Sequence, residues 1–372
     1  MFKSIFLATL LAVSAQAQSL VWNQSTLTLI QDGASYGRMI ELPGGKLLCA
    51  YSRAREMWSR SSADGGKTWS EPALVSNWPD GSTTNAELLA LKDGSILCFF
   101  NQRPSSAFGE REGGRIHPKT GVELLPFAIG FARSSDGGAT WTDPHVIYEG
   151  GKEFFNGCWE PAGVQLPNGE IEVFFANETP YRNSDEQEIS TMKSADSGKT
   201  WSAPKAVSFR AGSRDGMPVP LLLSGGSKML VAIEDNGLSG EFKPVIVSTT
   251  LTDDWKRGPV AGNDVRRWSA LRKPLPPEVY AGAPYLRQLR SGDTVLSFQM
   301  RKPGGQERIA VCVGNSQGKS FGEPTFPFPD TPGKQQMWAS LCALKDGSVM
   351  AVADATINGQ RGLWCVRGEL KR

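Results

Sequence analysis

Histidine is almost missing from this chain: His117 and His145 are the only two among 372 residues. That leaves little material for a His-rich zinc centre or for a nucleophile activated by a His–Asp pair. An excess of charge of one sign is missing too. Forty Lys and Arg against 38 Asp and Glu give a net charge of +2, so no field exists to gather nucleic acid or an anionic membrane. Six cysteines occur without a C-x-x-C pair. Cys49, Cys98, Cys158, Cys312, Cys342 and Cys365 stand singly, mostly inside apolar runs. This spacing argues against a zinc ribbon or a redox motif, and it predicts buried free thiols, because Cys packs as a small hydrophobe. No metal or cofactor is expected. Carboxylate, tyrosine and arginine remain as the chemical material.

Long apolar runs are also lacking. No stretch approaches the roughly 18 residues of a membrane span. The nearest is Ile5 to Val13, behind Met1-Phe2-Lys3 and ahead of Ala15-Gln16-Ala17. A positive start, a short apolar run and an A-x-A site predict a signal peptide over residues 1–17, cleaved near Ala17. The mature chain, 18–372, is then expected to be exported to a periplasmic or extracellular space as one domain.

What the chain has in abundance is repetition. S-x-D-x-G-x-T-W occurs at Ser62 to Trp69, Ser134 to Trp141 and Ser194 to Trp201, with a worn copy from Gly314 to Phe321 and a trace at Asp254-Trp255. The Ser and Asp side chains suit hydrogen bonding within a turn and the Trp suits an apolar anchor, so these aspartates are read as structural. A second pattern, an apolar run broken by a Gly-bearing turn, recurs six times. Its glycines are Gly45, Gly94, Gly169, Gly226, Gly292 and Gly347, separated by 49, 75, 57, 66 and 55 residues. Each unit thus predicts one hairpin on the Gly turn and, in most units, a second on the Asp-bearing turn. Six units of four antiparallel strands make an all-β, six-bladed β-propeller.

Strand direction converts these offsets into a site. If the first strand of each unit runs along the central channel to its Gly turn, residues eight or nine before that turn and seven or eight after it share one rim. The leading set is Tyr36, Asn85, Glu160, Met217, Ala283 and Trp338, each with the residue that follows. The trailing set includes Arg53, Arg103, Asn177, Glu234, Met300 and Asp354. Glu160 and Glu234 each end a largely apolar strand at this rim. Two carboxylates facing across a pocket are what glycoside hydrolysis requires. Tyr36, Trp159, Tyr285 and Trp338 are the candidates for stacking on sugar, and Arg38, Asn85, Arg103 and Asn177 those for hydrogen bonding it. The competing reading is two rim carboxylates in ion pairs with Arg38, Arg53 or Arg103.

The Asp-bearing repeats, together with R-M-I-E-L-P-G-G-K-L-L-C-A-Y from Arg38, resemble the sialidase superfamily of six-bladed BNR-repeat propellers. Within it, Trp159-Glu160-Pro161, G-M-P-V from Gly216 and M-L-V-A-I-E ending in Glu234 are similar to the exo-arabinanases of glycoside hydrolase family 93. That resemblance implies a retaining mechanism with Glu160 as nucleophile and Glu234 as general acid/base, 74 residues apart in sequence and about 5–5.5 Å apart in space. True sialidases use an arginine triad, a Tyr nucleophile helped by a Glu, and an Asp acid/base. Arg38 matches the first arginine, whereas Trp338-Ala339-Ser340-Leu341 stands where their Tyr-Ser opens the last inner strand. The expected function is therefore an exported retaining exo-glycosidase acting on an arabinan-type or other neutral sugar. A sialidase binding an acidic sugar through arginines, or a non-catalytic carbohydrate-binding propeller, are the alternatives. Asp235, next in sequence to Glu234, is expected to raise the Glu234 pKa by like-charge repulsion. The expected partner is carbohydrate, with no nucleic acid and no membrane, and oligomeric state is not legible.

Overall fold

Six copies of one turn build the frame. In each, the Gly amide donates to the carbonyl of the Leu three residues earlier, from Gly45 to Leu42 (3.2 Å) through Gly347 to Leu344 (3.0 Å). All six glycines have positive φ, between 66° and 94°, a conformation that a Cβ would penalise. Each turn joins an inner strand to the second strand of its blade. The inner strands are Ser35–Glu41, Gly81–Ala90, Cys158–Gln165, Asp215–Leu222, Tyr280–Gln288 and Met337–Ala343. The computed structural model describes residues 18–371 apart from Gly113, Gly114 and Ser239; the signal-peptide reading at 1–17 lies outside the described residues.

The six blades are antiparallel sheets around a central axis, and no α-helix occurs among the described residues. Five blades have four strands. The fifth has three, and Thr325 exchanges two 2.8 Å backbone bonds with Val311 where a fourth strand would lie. Prolines at 324, 327, 329 and 332 strip that segment of ladder donors. The last blade closes the ring. Strand Ser19–Asp32 forms its outer edge against Gln360–Lys371, with Ser19 opposite Lys371. Second strands such as Leu47–Arg53 and Ile171–Asn177 are buried almost throughout, because neighbouring blades cover both of their faces. The six cysteines lie on inner, second and third strands, all buried and unpaired.

The Asp-bearing turns join third to fourth strands at the end of the blade that carries the Gly turns. Asp64 Oδ1 accepts from Ser62 Oγ (2.8 Å) and from the Lys67 and Thr68 amides (both 3.0 Å), while Thr68 Oγ1 donates to its other oxygen at 2.6 Å. Asp136 and Asp196 repeat the arrangement. In the worn copy Asn315 Oδ1 substitutes as acceptor. These hydrogen bonds hold the three aspartates well below the usual carboxylate range.

Candidate functional site

The opposite end of the axis is shaped by a defect repeated six times. Every inner strand slips register at one place: between Ser35 and Arg38, Thr84 and Glu87, Trp159 and Ala162, Gly216 and Val219, Gly282 and Tyr285, and Met337 and Ser340. Each slip is a bulge, and each contains one residue in the left-handed region: Tyr36, Asn85, Glu160, Met217, Ala283 and Trp338, with φ between 49° and 55°. These are the six positions nine residues before the turn glycines. Such a conformation costs a non-glycine residue about 1 kcal/mol or more. It persists because the ladder on either side fixes it, and it re-aims one side chain per blade at the mouth of the channel.

Four of the six side chains, Tyr36, Met217, Ala283 and Trp338, meet as one apolar cluster, with the Tyr36 and Trp338 rings 5.7 Å apart. The remaining two, Asn85 and Glu160, come from adjacent blades and are polar. Two residues further along, the next inward layer forms a floor. Glu87 accepts from Tyr285 Oη (2.9 Å) and pairs with Arg38 (3.3 Å) and Arg287 (3.0 Å), tying together three blades. Arg38 lies under the Tyr36 ring at 4.1 Å and donates to the Trp338 carbonyl at 3.1 Å. Tyr285 and Arg38 are only 1% and 4% exposed. They are thus set in the floor of the hollow, beneath the rim residues.

Glu160 and Glu234 converge on one peptide unit. The Met217 amide donates to the Glu160 carboxylate. On the other side, Glu234 Oε1 lies 3.0 Å from where a Cβ on Gly216 would stand. Glu234 Oε2 accepts from the Ala283 amide at 2.8 Å. Among the described residues, neither glutamate forms an ion pair. Burial raises the pKa of both. For Glu160 this is opposed by the Arg103 charge and the Met217 amide. For Glu234 burial is reinforced by the negative charge of Glu160, and together they push it up to about 7. The expectation that Asp235 supplies this repulsion is corrected by strand geometry. Asp235 faces the other side of its strand, fully buried, where it is paired with Arg267 and with Arg210 at 3.1 Å.

The other sequence candidates fall at different depths. Arg103 donates to Asn85 Oδ1 and to Asn101 Oδ1 (3.4 Å) and lies 4.9 Å over the Trp159 ring. Trp159 is 7% exposed, packed on Phe127 and Phe154, with its indole N–H on Glu178 (2.8 Å). Asn177 is buried within its own blade. It donates to Ser190 Oγ (3.1 Å) and accepts from Tyr148 Oη (3.3 Å) and the Thr179 amide (3.1 Å), so the structure does not bring it to the two glutamates.

Three participants were not singled out from sequence. Arg214 pairs with Glu178, and its charge acts on both Glu160 and Glu234. The Tyr280 hydroxyl lies beside Glu234, whose charge, together with burial, drives the phenol pKa upward. Arg214 and Tyr280 stand three residues upstream of the rim residues Met217 and Ala283, an offset that would have found both. Glu178, the third, follows Asn177 with no periodic signal. Gly282 is required for space: a Cβ there would meet Glu234 Oε2 at 2.5 Å and the Tyr280 hydroxyl as well. The Gly282→Ala variant is therefore expected to fold, since the residue is not in the left-handed region, and to displace the Glu234 carboxylate. The check is a drop of about 10²-fold or more in whatever turnover the wild-type protein shows, at an unchanged melting temperature.

No group of three or more His, Cys, Asp or Glu side chains suited to a metal ion occurs among the described residues. None of the described helices is long and apolar enough to cross a membrane.

Known proteins share this architecture. The family 93 α-L-arabinofuranosidase of Fusarium graminearum, solved with arabinobiose, superposes with a TM-score of 0.69 at 17% identity, covering 92% of this chain and 96% of that one. The α-L-arabinanase of Penicillium chrysogenum, also with arabinobiose, gives 0.65 at 15% identity, covering 95% and 97%. The Hadza microbial sialidase Hz136 gives 0.59 at 14%, covering 91% and 65%. At these identities the likeness establishes a common fold, nearer in shape to the two arabinan-type structures than to this sialidase. No curated protein sequence matches the chain. Sequence does place it in a family: residues 127–371 match the model of the BNR repeat-like domain, and the chain belongs to that family.

Proposed function

We propose that the protein is a retaining exo-glycosidase of neutral sugars, with Glu160 as nucleophile and Glu234 as general acid/base. One observation carries the reading: two carboxylates from adjacent blades flank the Gly216–Met217 peptide, free of ion pairs, in environments that separate their protonation. The first proton leaves Glu160, beside Arg103. The resulting charge then holds the proton on Glu234, which stays an acid to about pH 7. Glu160 attacks the anomeric carbon as Glu234 protonates the departing oxygen. Glu234, now a carboxylate, takes a proton from the water that releases the sugar. Arg38, Glu87, Tyr285 and Arg287 tie three blades together beneath the rim, an arrangement suited to a chain that enters by its end, which supports exo action.

Charge balance supports a neutral sugar. With Glu234 protonated, the mouth holds two carboxylates, Glu160 and Glu178, against two guanidiniums, Arg103 and Arg214. Arg38, the match to the first sialidase arginine, is covered by the Tyr36 ring, and by sequence resemblance Trp338 stands where true sialidases carry a Tyr-Ser motif. An arabinan-type substrate is the specific proposal, supported by the arabinobiose bound in the two fungal structures of the same fold. Export to the substrate is part of the proposal and rests on the leader-like first 17 residues.

The test is a screen of the purified chain on debranched arabinan, aryl arabinofuranosides, neutral plant oligosaccharides and sialyllactose. It is followed by trapping with a 2-deoxy-2-fluoro analogue of the sugar released. A covalent adduct mapped to Glu160 is expected. Turnover of sialyllactose alone, or inversion at the anomeric carbon, overturns the reading.

A further inference from the structure

We infer that Arg103 is a positioning residue that makes the two glutamates unequal, held for that purpose by Asn101. The inference deepens the glycosidase reading and rests on it for its meaning, though not for its test. Asn101 is fully buried. Its amide nitrogen donates to two backbone carbonyls, Ala128 O in its own blade and Cys158 O in the next, both at 2.9 Å. Those two bonds use both amide hydrogens, so the side-chain oxygen can face only the other way, and there it accepts from Arg103 Nε. Asn85, held in the left-handed conformation by the rim bulge, accepts from Arg103 Nη2. The Trp159 ring supports the guanidinium face at 4.9 Å. Arg103 is thereby oriented from three sides by neutral groups and, among the described residues, has no carboxylate in ion-pair contact.

Its charge consequently acts on what lies ahead of it. Arg103 is the strongest favourable charge on Glu160, and Glu160 is the largest charge influence on Arg103. Glu234 feels no comparable effect from it, since the charges acting on that residue are Glu160 and Arg214. The Asn101 anchor also spans the junction that places Glu160, because Cys158 lies two residues before it. One buried amide thus fixes both the guanidinium and the strand carrying the carboxylate.

The experiment compares wild type with Arg103→Gln and Arg103→Lys. The first readout is independent of turnover: the Glu160 carboxyl is titrated by isotope-edited infrared or carbon NMR, assigned by its loss in Glu160→Gln. Arg103→Gln is expected to raise the pH at which Glu160 ionises by about one pH unit or more, with Arg103→Lys in between. Where the wild type hydrolyses a glycoside, Arg103→Gln should lower kcat about 10²-fold with KM little changed. The acid limb of its pH profile should move up by the same amount as the titration, and added guanidinium ion should restore part of the rate. An unmoved Glu160 titration overturns the inference. So does a loss confined to KM with the acid limb in place, which would make Arg103 a substrate contact. Glycosidase activity surviving in Glu160→Gln would instead sink the functional proposal, and the titration would still decide the role of Arg103.

Discussion

Replacing Glu160 with Gln is expected to reduce hydrolysis of every substrate by at least about 10⁴-fold, whatever its leaving group. The amide keeps the shape and can still accept from the Met217 amide, but it cannot form the glycosyl bond. The variant should fold normally, because the residue lies at the rim and removing its charge relieves a desolvation cost. A small external nucleophile such as azide should restore turnover of an activated aryl glycoside, giving a product of opposite anomeric configuration to the wild type. Equal activity in Glu160→Gln and wild type would remove this residue from the chemistry. Rescue by azide separates a lost nucleophile from a lost fold, since a misfolded protein is not rescued.

Glu234→Gln should behave differently, and the difference identifies the acid. Substrates with poor leaving groups depend on a proton in the first step and should slow by about 10²–10⁴-fold, whereas the first step on activated aryl glycosides should be nearly spared. The wild-type rate should fall above about pH 7, where Glu234 gives up its proton, and this alkaline limb should vanish in the variant. The same residue links pH to stability. Folded Glu234 takes up its proton near 7, against an ordinary 4.5 in the unfolded chain. Between those values the folded state binds the extra proton, so its contribution is present at low pH and is lost as the pH rises through 7. Melting temperatures from pH 4 to 8 should fall less steeply in Glu234→Gln than in wild type. Parallel curves would place the raised group elsewhere.

The arithmetic of the Gly turns located six rim positions without error in register, from Tyr36 to Trp338. The reason is that each blade repeats one turn at one distance from one bulge, so periodic chemistry survives in the sequence. The same periodicity made Ser62, Asp64 and Trp69 readable as turn residues before any contact was known. Strand parity is a local property, however, and it failed once the bulges interrupted it. Tyr285 and Arg38, two residues past the rim, drop into the floor; Asn177, on a second strand that carries no bulge, lies within its own blade, bonded to Ser190 and Tyr148. Asp235 points away from its neighbour Glu234 for the ordinary reason that adjacent residues on a strand face opposite sides.

Sequence alone therefore determined the ring of six blades and the six rim positions at one end of its axis, because these follow from repeats of short-range turns. Tertiary structure decided which charges the two glutamates feel. Arg103, Arg214 and Glu178 come from segments far apart in the chain, and Glu87 gathers partners from two other blades; their effect depends on burial and on distances across the axis, which no local pattern encodes. The different charges acting on Glu160 and Glu234 are a property of that assembled field.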